Sequence, residues 1–169
     1  MNPSYKNPAA DTWYSTISKD LSKFPFRFYC DGTLIEGFPQ DLFSVEDRTC
    51  TGNKEKETLT LTLKKDKTLY VTVKLTHYFL YGATEWTLWF ENRGEEDSPL
   101  ISGAETLLSF EGSNPVLKGI LGDHVNKYRP YCLDVADFPR YFESESSRAT
   151  HVYFPYFNLE YGIAESCLP

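Results

Sequence analysis

The chain is poor in the residues that most often announce chemistry. One of its 169 residues is methionine and three are histidine, while Cys30, Cys50, Cys132 and Cys167 are scattered without a CxxC pair. That spacing argues against a zinc knuckle or a redox motif and suits thiols kept free in a reducing compartment. Positive charge is also short: 17 Lys and Arg stand against 24 Asp and Glu, a formal net charge of -7. Such a surface repels phosphate backbones and anionic lipid at long range, so neither nucleic acid nor membrane is an expected partner. No apolar run approaches the roughly 20 residues that span a bilayer. The start MNPSYKNPAADTW has no hydrophobic signal core, and together these predict a cytoplasmic protein. GxSxG, HExxH and phosphate-loop motifs are missing too. The locally recognisable routes to hydrolase and nucleotide chemistry are thereby removed, and no cofactor or metal is expected.

Aromatic residues, by contrast, are abundant: 12 Tyr, 12 Phe and three Trp. Flat, rigid rings favour strands and fill cores, and where exposed they offer surfaces on which sugar rings stack. The length fits one domain, read as a loose segment over 1–10 followed by a single body over 11–169.

Period-two alternation dominates. Leu69, Val71, Val73, Leu75 and His77 alternate with Tyr70, Thr72, Lys74, Thr76 and Tyr78, as a strand with one buried face requires. Trp86, Leu88 and Phe90 oppose Thr87, Trp89 and Glu91 in the same way, with Gly82 available for the reversal between the runs. Leu59, Leu61 and Leu63 start a third run, so three consecutive antiparallel strands are predicted between about 58 and 92, with no room for a crossover helix. Phe24, Phe26 and Phe28 lead into Asp31-Gly32, a two-residue hairpin signal, with Thr33–Ile35 returning. Leu42, Phe43 and Val45 suggest a short strand, 100–110 another, and 151–160 a last one with Val152, Phe154, Tyr156 and Asn158 on one face. Pro155 marks that run as an edge or a bulge. Trp13, Ile17 and Leu21 fall four apart, the spacing of one short helix. The fold class expected is all-β, an antiparallel β-sandwich with at most that one helix.

The densest polar cluster is GDHVNKYRPY, residues 122–131. Asp123, His124, Asn126 and Arg129 can hydrogen-bond sugar hydroxyls while Tyr128 or Tyr131 stacks beneath the ring; a well-anchored structural loop is the competing reading. Asp123 and His124 are adjacent and lack a third ligand, which makes a poor metal site. His77 reads as a satisfied core histidine. In a two-layer sandwich one of Trp86 and Trp89 faces outward, and Trp89 so placed is a candidate sugar platform.

Two segments carry more than periodicity. The run Gly82-Ala83-Thr84-Glu85-Trp86 through Trp89-Phe90-Glu91-Asn92-Arg93-Gly94 and on to Asp97-Ser98-Pro99-Leu100-Ile101 resembles the "VEW…YF.N.G..DTPIL" stretch of the amino-terminal domain of bacterial α-galactosidase-like glycoside hydrolases, the family 36 type. The Gly122 loop followed by Phe154-Pro155-Tyr156-Phe157-Asn158-Leu159-Glu160 is similar to that domain's later loop and its "FFNLE" strand. The resemblance covers about 24–162. It implies a β-supersandwich, galactose-mutarotase-like in fold, that packs on a catalytic barrel and can lend a loop to a sugar site, sometimes across a subunit boundary in a homo-oligomer. The barrel motifs that supply the aspartate nucleophile and acid/base are not in this sequence, so no catalytic residue carries over. The expectation is a noncatalytic, carbohydrate-associated module, whole or truncated, with galactoside as its ligand. Two other classes compete with it. One is a mutarotase-like enzyme using His124 with Glu105 or Glu160, and the other is a purely structural or oligomerising domain.

Overall fold

The computed structural model describes residues 8–109, 113–122, 127–136, 142, 148 and 150–162. Almost all of its regular structure is antiparallel β, as the alternation predicts. Where the sequence reads as one body over 11–169, the chain gathers into two compact units, Met1–Leu108 and Ser109–Pro169.

The first unit opens with helix α1, Pro8–Lys19. Proline suits a first helical turn because its missing N–H has no intrahelical partner there, and the helix takes in Trp13 and Ile17 but ends at Lys19, before Leu21. Tyr14, Ile17 and Ser18 are its buried side chains. Strands β1 (Phe26–Cys30) and β2 (Thr33–Glu36) meet through Asp31 and Gly32, whose φ values of 49° and 75° give the twisted two-residue turn that hairpins favour. Strand β7 (Ile101–Thr106) pairs with the other side of β1.

A second sheet has the order β3-β4-β5-β6, comprising Ser44–Gly52, Lys56–Lys64, Leu69–Tyr78 and Ala83–Asn92. Leu59, Leu61, Leu63, Leu69, Val71, Val73 and Leu75 are all buried on one face, as their spacing predicts. They share a single core with Phe28, Cys30 and Ile35 of the first sheet. Phe28 meets Phe90 edge-on at 5.2 Å across the two layers, so this unit is a β-sandwich. Strand β3 runs well past the expected Leu42–Val45, and Leu42 and Phe43 lie in the turn before it.

The β4–β5 hairpin depends on one carboxylate. Asp66 Oδ1 accepts from the backbone N–H of Thr68 and of Leu69, both at 2.8 Å, and from the Thr68 hydroxyl at 3.0 Å. Burial works against its ionisation, but these donors outweigh it and hold the carboxyl below its ordinary value. A lowered folded value means stability that is present above the unfolded value, about 3.9, and lost as pH falls through the folded one. Asp66→Ala is therefore expected to lower stability by about 1 kcal/mol at neutral pH, discounted for the partial exposure of the carboxylate. Urea titrations should show the gap to wild type closing below about pH 4; a gap that persists there would assign the loss to something other than the carboxylate.

The second unit is a three-stranded sheet of order β10-β8-β9, comprising Tyr153–Gly162, Ser113–Leu121 and Pro130–Asp134. Tyr153 faces Leu121 and Phe157 faces Gly119, so four steps along β10 match two along β8. That slip spans Pro155, and β10 is an edge strand, as Pro155 predicts. The irregularity breaks the simple alternation of Val152, Phe154, Tyr156 and Asn158; Tyr156 and Phe157 both stand exposed. Among the described residues, no helix is long and apolar enough to cross a membrane.

Candidate functional site

The two faces of the four-stranded sheet differ in kind. Its inner face is apolar, aliphatic side chains joined by Trp86 and Phe90 of β6, except where polar groups meet helix α1. His77 is 1% exposed there and is satisfied at both ring nitrogens. Nε2 lies 2.9 Å from Asp11 Oδ1 and Nδ1 lies 2.8 Å from Thr84 Oγ1. An ionised carboxylate only accepts, so Nε2 is the donor to Asp11. Tyr14 stacks on the imidazole with centroids 4.5 Å apart and donates its hydroxyl to Glu57 Oε1 at 2.6 Å. Burial first, and then Glu57 as acceptor, push the Tyr14 phenol well up. Every member has its partner, which makes this row an anchor for α1 and agrees with the core reading of His77.

The outer face carries hydroxyls. Thr58, Thr60 and Thr62 of β4 and Thr72 and Thr76 of β5 occupy alternate positions there, joined by Thr49 and Thr51 of β3 and Thr87 of β6. Thr58 and Thr76 bond each other through their hydroxyls at 3.1 Å. Trp86 turns inward, 5.8 Å from Trp13 and 6.0 Å from Phe24. Trp89 turns outward, is 46% exposed, and sits opposite Thr72. Among the described residues it stacks on no other ring.

The remaining charged and aromatic groups of this face are mostly engaged. Tyr70 has the Lys64 ammonium 5.6 Å and the Arg93 guanidinium 4.9 Å from its ring centroid, and Arg93 also pairs with Glu91. Lys56 lies 5.6 Å from the Tyr78 ring centroid, while the Tyr78 hydroxyl donates to Glu85 at 2.8 Å, which pushes that phenol up. Among the described residues Trp89 is thus the open ring of the face, with Thr72 opposite it, Thr87 and Glu91 two positions away along β6, and Tyr70 and Lys74 on its diagonals.

The 122–131 loop belongs to the second unit. Asp123, His124 and Asn126 lie outside the described residues. Tyr128, with a φ of 63°, is about half exposed and meets Phe154 edge-on at 6.2 Å. Arg129 is exposed, and its carbonyl accepts from the Leu121 N–H at 2.8 Å. Tyr131 stacks on Phe142 at 5.9 Å and meets Tyr153 edge-on at 6.0 Å. Its ring also crosses Gly119, where an added Cβ would come within 2.4 Å of the hydroxyl. Packing therefore takes up Tyr131, and Tyr128 is left as the open ring of that loop.

No protein-family profile, curated protein or solved structure matches the chain.

Glu105 pairs with Arg27 at 2.7 Å and Glu160 with Lys118 at 2.6 Å, both at the surface, so each carboxylate is neutralised by a neighbour. A cleft of about 360 Å³ between the 66–68 and 96–99 turns is lined by Asp31, Asp66, Glu96 and Asp97. Asp66 is spent on its own hairpin, and Asp31 accepts from the Leu100 N–H at 2.8 Å. Among the described residues no group of three His, Cys, Asp or Glu side chains is arranged to hold a metal. The threonine alternation and Lys74 were visible in sequence as the polar half of each strand; the Asp11–His77 contact, spanning 66 positions, carried no sequence signal.

Proposed function

We propose that the chain is a noncatalytic, carbohydrate-associated β-sandwich module of an α-galactosidase-like glycoside hydrolase, packing on a catalytic barrel and contacting sugar with the outer face of the β3–β6 sheet. The observation that supports the reading is Trp89, an open indole beside the threonines Thr72 and Thr87. Carbohydrate recognition needs an apolar ring for the C–H face of a pyranose and neutral hydrogen-bonding groups around it, and this face supplies both. The Tyr128–Arg129 loop is a second, weaker contact of the same kind.

Titration of the chain with a galacto-oligosaccharide, read by calorimetry, tests the proposal. Trp89→Ala should lower affinity by about 10-fold or more, since a stacked ring is worth on the order of 1–3 kcal/mol by analogy with base stacking. An unchanged titration curve would remove Trp89 from the site. Turnover of a chromogenic α-galactoside by the chain would overturn the noncatalytic part.

A further inference from the structure

One cation on the outer face stands apart from the rest. Lys74 lies at the centre of the sheet, with Thr60 and Thr87 directly opposite it on the two neighbouring strands and Thr72 and Thr76 two positions away along its own. It is exposed, and among the described residues it has neither the carboxylate nor the aromatic partner that Lys56, Lys64 and Arg93 have. The carboxylates of β6 are already occupied, Glu85 by the Tyr78 hydroxyl and Glu91 by Arg93. Trp89, opposite Thr72, is the diagonal neighbour of Lys74, a relation that puts two residues roughly 7–8 Å apart and within reach of long side chains. A pyranose seated on the indole therefore brings its ring substituents to the Lys74 ammonium.

Resting on the carbohydrate reading above, we infer that the sugar received at Trp89 is an acidic one, a uronic acid glycoside whose C6 carboxylate is bound by Lys74. A neutral sugar uses the threonines and the indole but leaves this ammonium without a counterpart. The chain's net charge of -7 narrows the ligand further. A dense polyuronate is repelled at long range, whereas a single carboxylate among neutral sugars feels the local cation more than the distant field.

The test compares methyl α-galacturonoside with methyl α-galactoside, which differ at C6 alone, by following the Trp89 indole N–H resonance at low salt. Wild type should bind the galacturonoside about 5-fold more tightly, the range of a charge-assisted contact at an exposed site. Lys74→Gln should bring the two ligands to parity without changing thermal unfolding, and 0.5 M salt should shrink the wild-type preference. Equal affinities in wild type, or a preference that survives in Lys74→Gln, would overturn the inference and leave the platform standing. Failure of both ligands to shift the resonance would take down the platform, and this inference with it.

Discussion

His77→Ala is expected to lower the stability of the first unit by about 3 kcal/mol while leaving galactoside titrations unchanged. The loss combines two hydrogen bonds at about 1 kcal/mol each with the packing of a ring that Tyr14 covers. Asp11 is about half exposed and recovers water when its partner goes, so it adds little to the penalty. Thr84 and the covered face of Tyr14 are left to a small void instead. Because His77 is on the inner face and Trp89 on the outer, stability and binding should separate cleanly. Urea unfolding beside a sugar titration would show it. A variant of wild-type stability that had lost binding would reverse the assignment and make the imidazole a functional group rather than the anchor of α1.

A larger loss should follow Phe28→Ala, about 3–5 kcal/mol. Phe28 is 0% exposed and touches Phe26, Phe38 and Phe90 at centroid distances of 5.8, 6.3 and 5.2 Å. It is the ring through which β1 of one layer meets β6 of the other, so its removal opens a cavity where the two sheets bear on each other. Against a typical total of about 5–15 kcal/mol the first unit would be left marginal. A midpoint shift in urea with an unchanged slope would establish the loss; a shift equivalent to less than about 1 kcal/mol would mean that the layers close over the gap.

His77 was legible in the sequence as a core residue, and for a simple reason. The stretch from β4 to β6 buries one face and wets the other, so its sequence alternates without interruption and its register follows from residue type. Trp86 and Trp89, three positions apart on β6, had to point opposite ways for the same reason. Strand β3 left no such trace because all nine of its residues are exposed, and with no buried face there is no alternation to read. Strand β10 hid its register behind the bulge at Pro155. The site was half visible: the indole and the threonines stand in the pattern, whereas the isolation of Lys74 depends on which neighbours hold partners of their own, a property of the folded sheet.

The nine exposed residues of β3 also bear on how the molecule keeps to itself. This strand ends its sheet, so a row of its main-chain N–H and C=O groups has no ladder to join among the described residues. The successive charges Glu46, Asp47 and Arg48 sit on that rim, and the register slips between Val45 and Asp47. Any chain approaching to extend the sheet would have to bury those charges and match an irregular backbone. The rim thereby discourages fibrous stacking through a surface otherwise well suited to it.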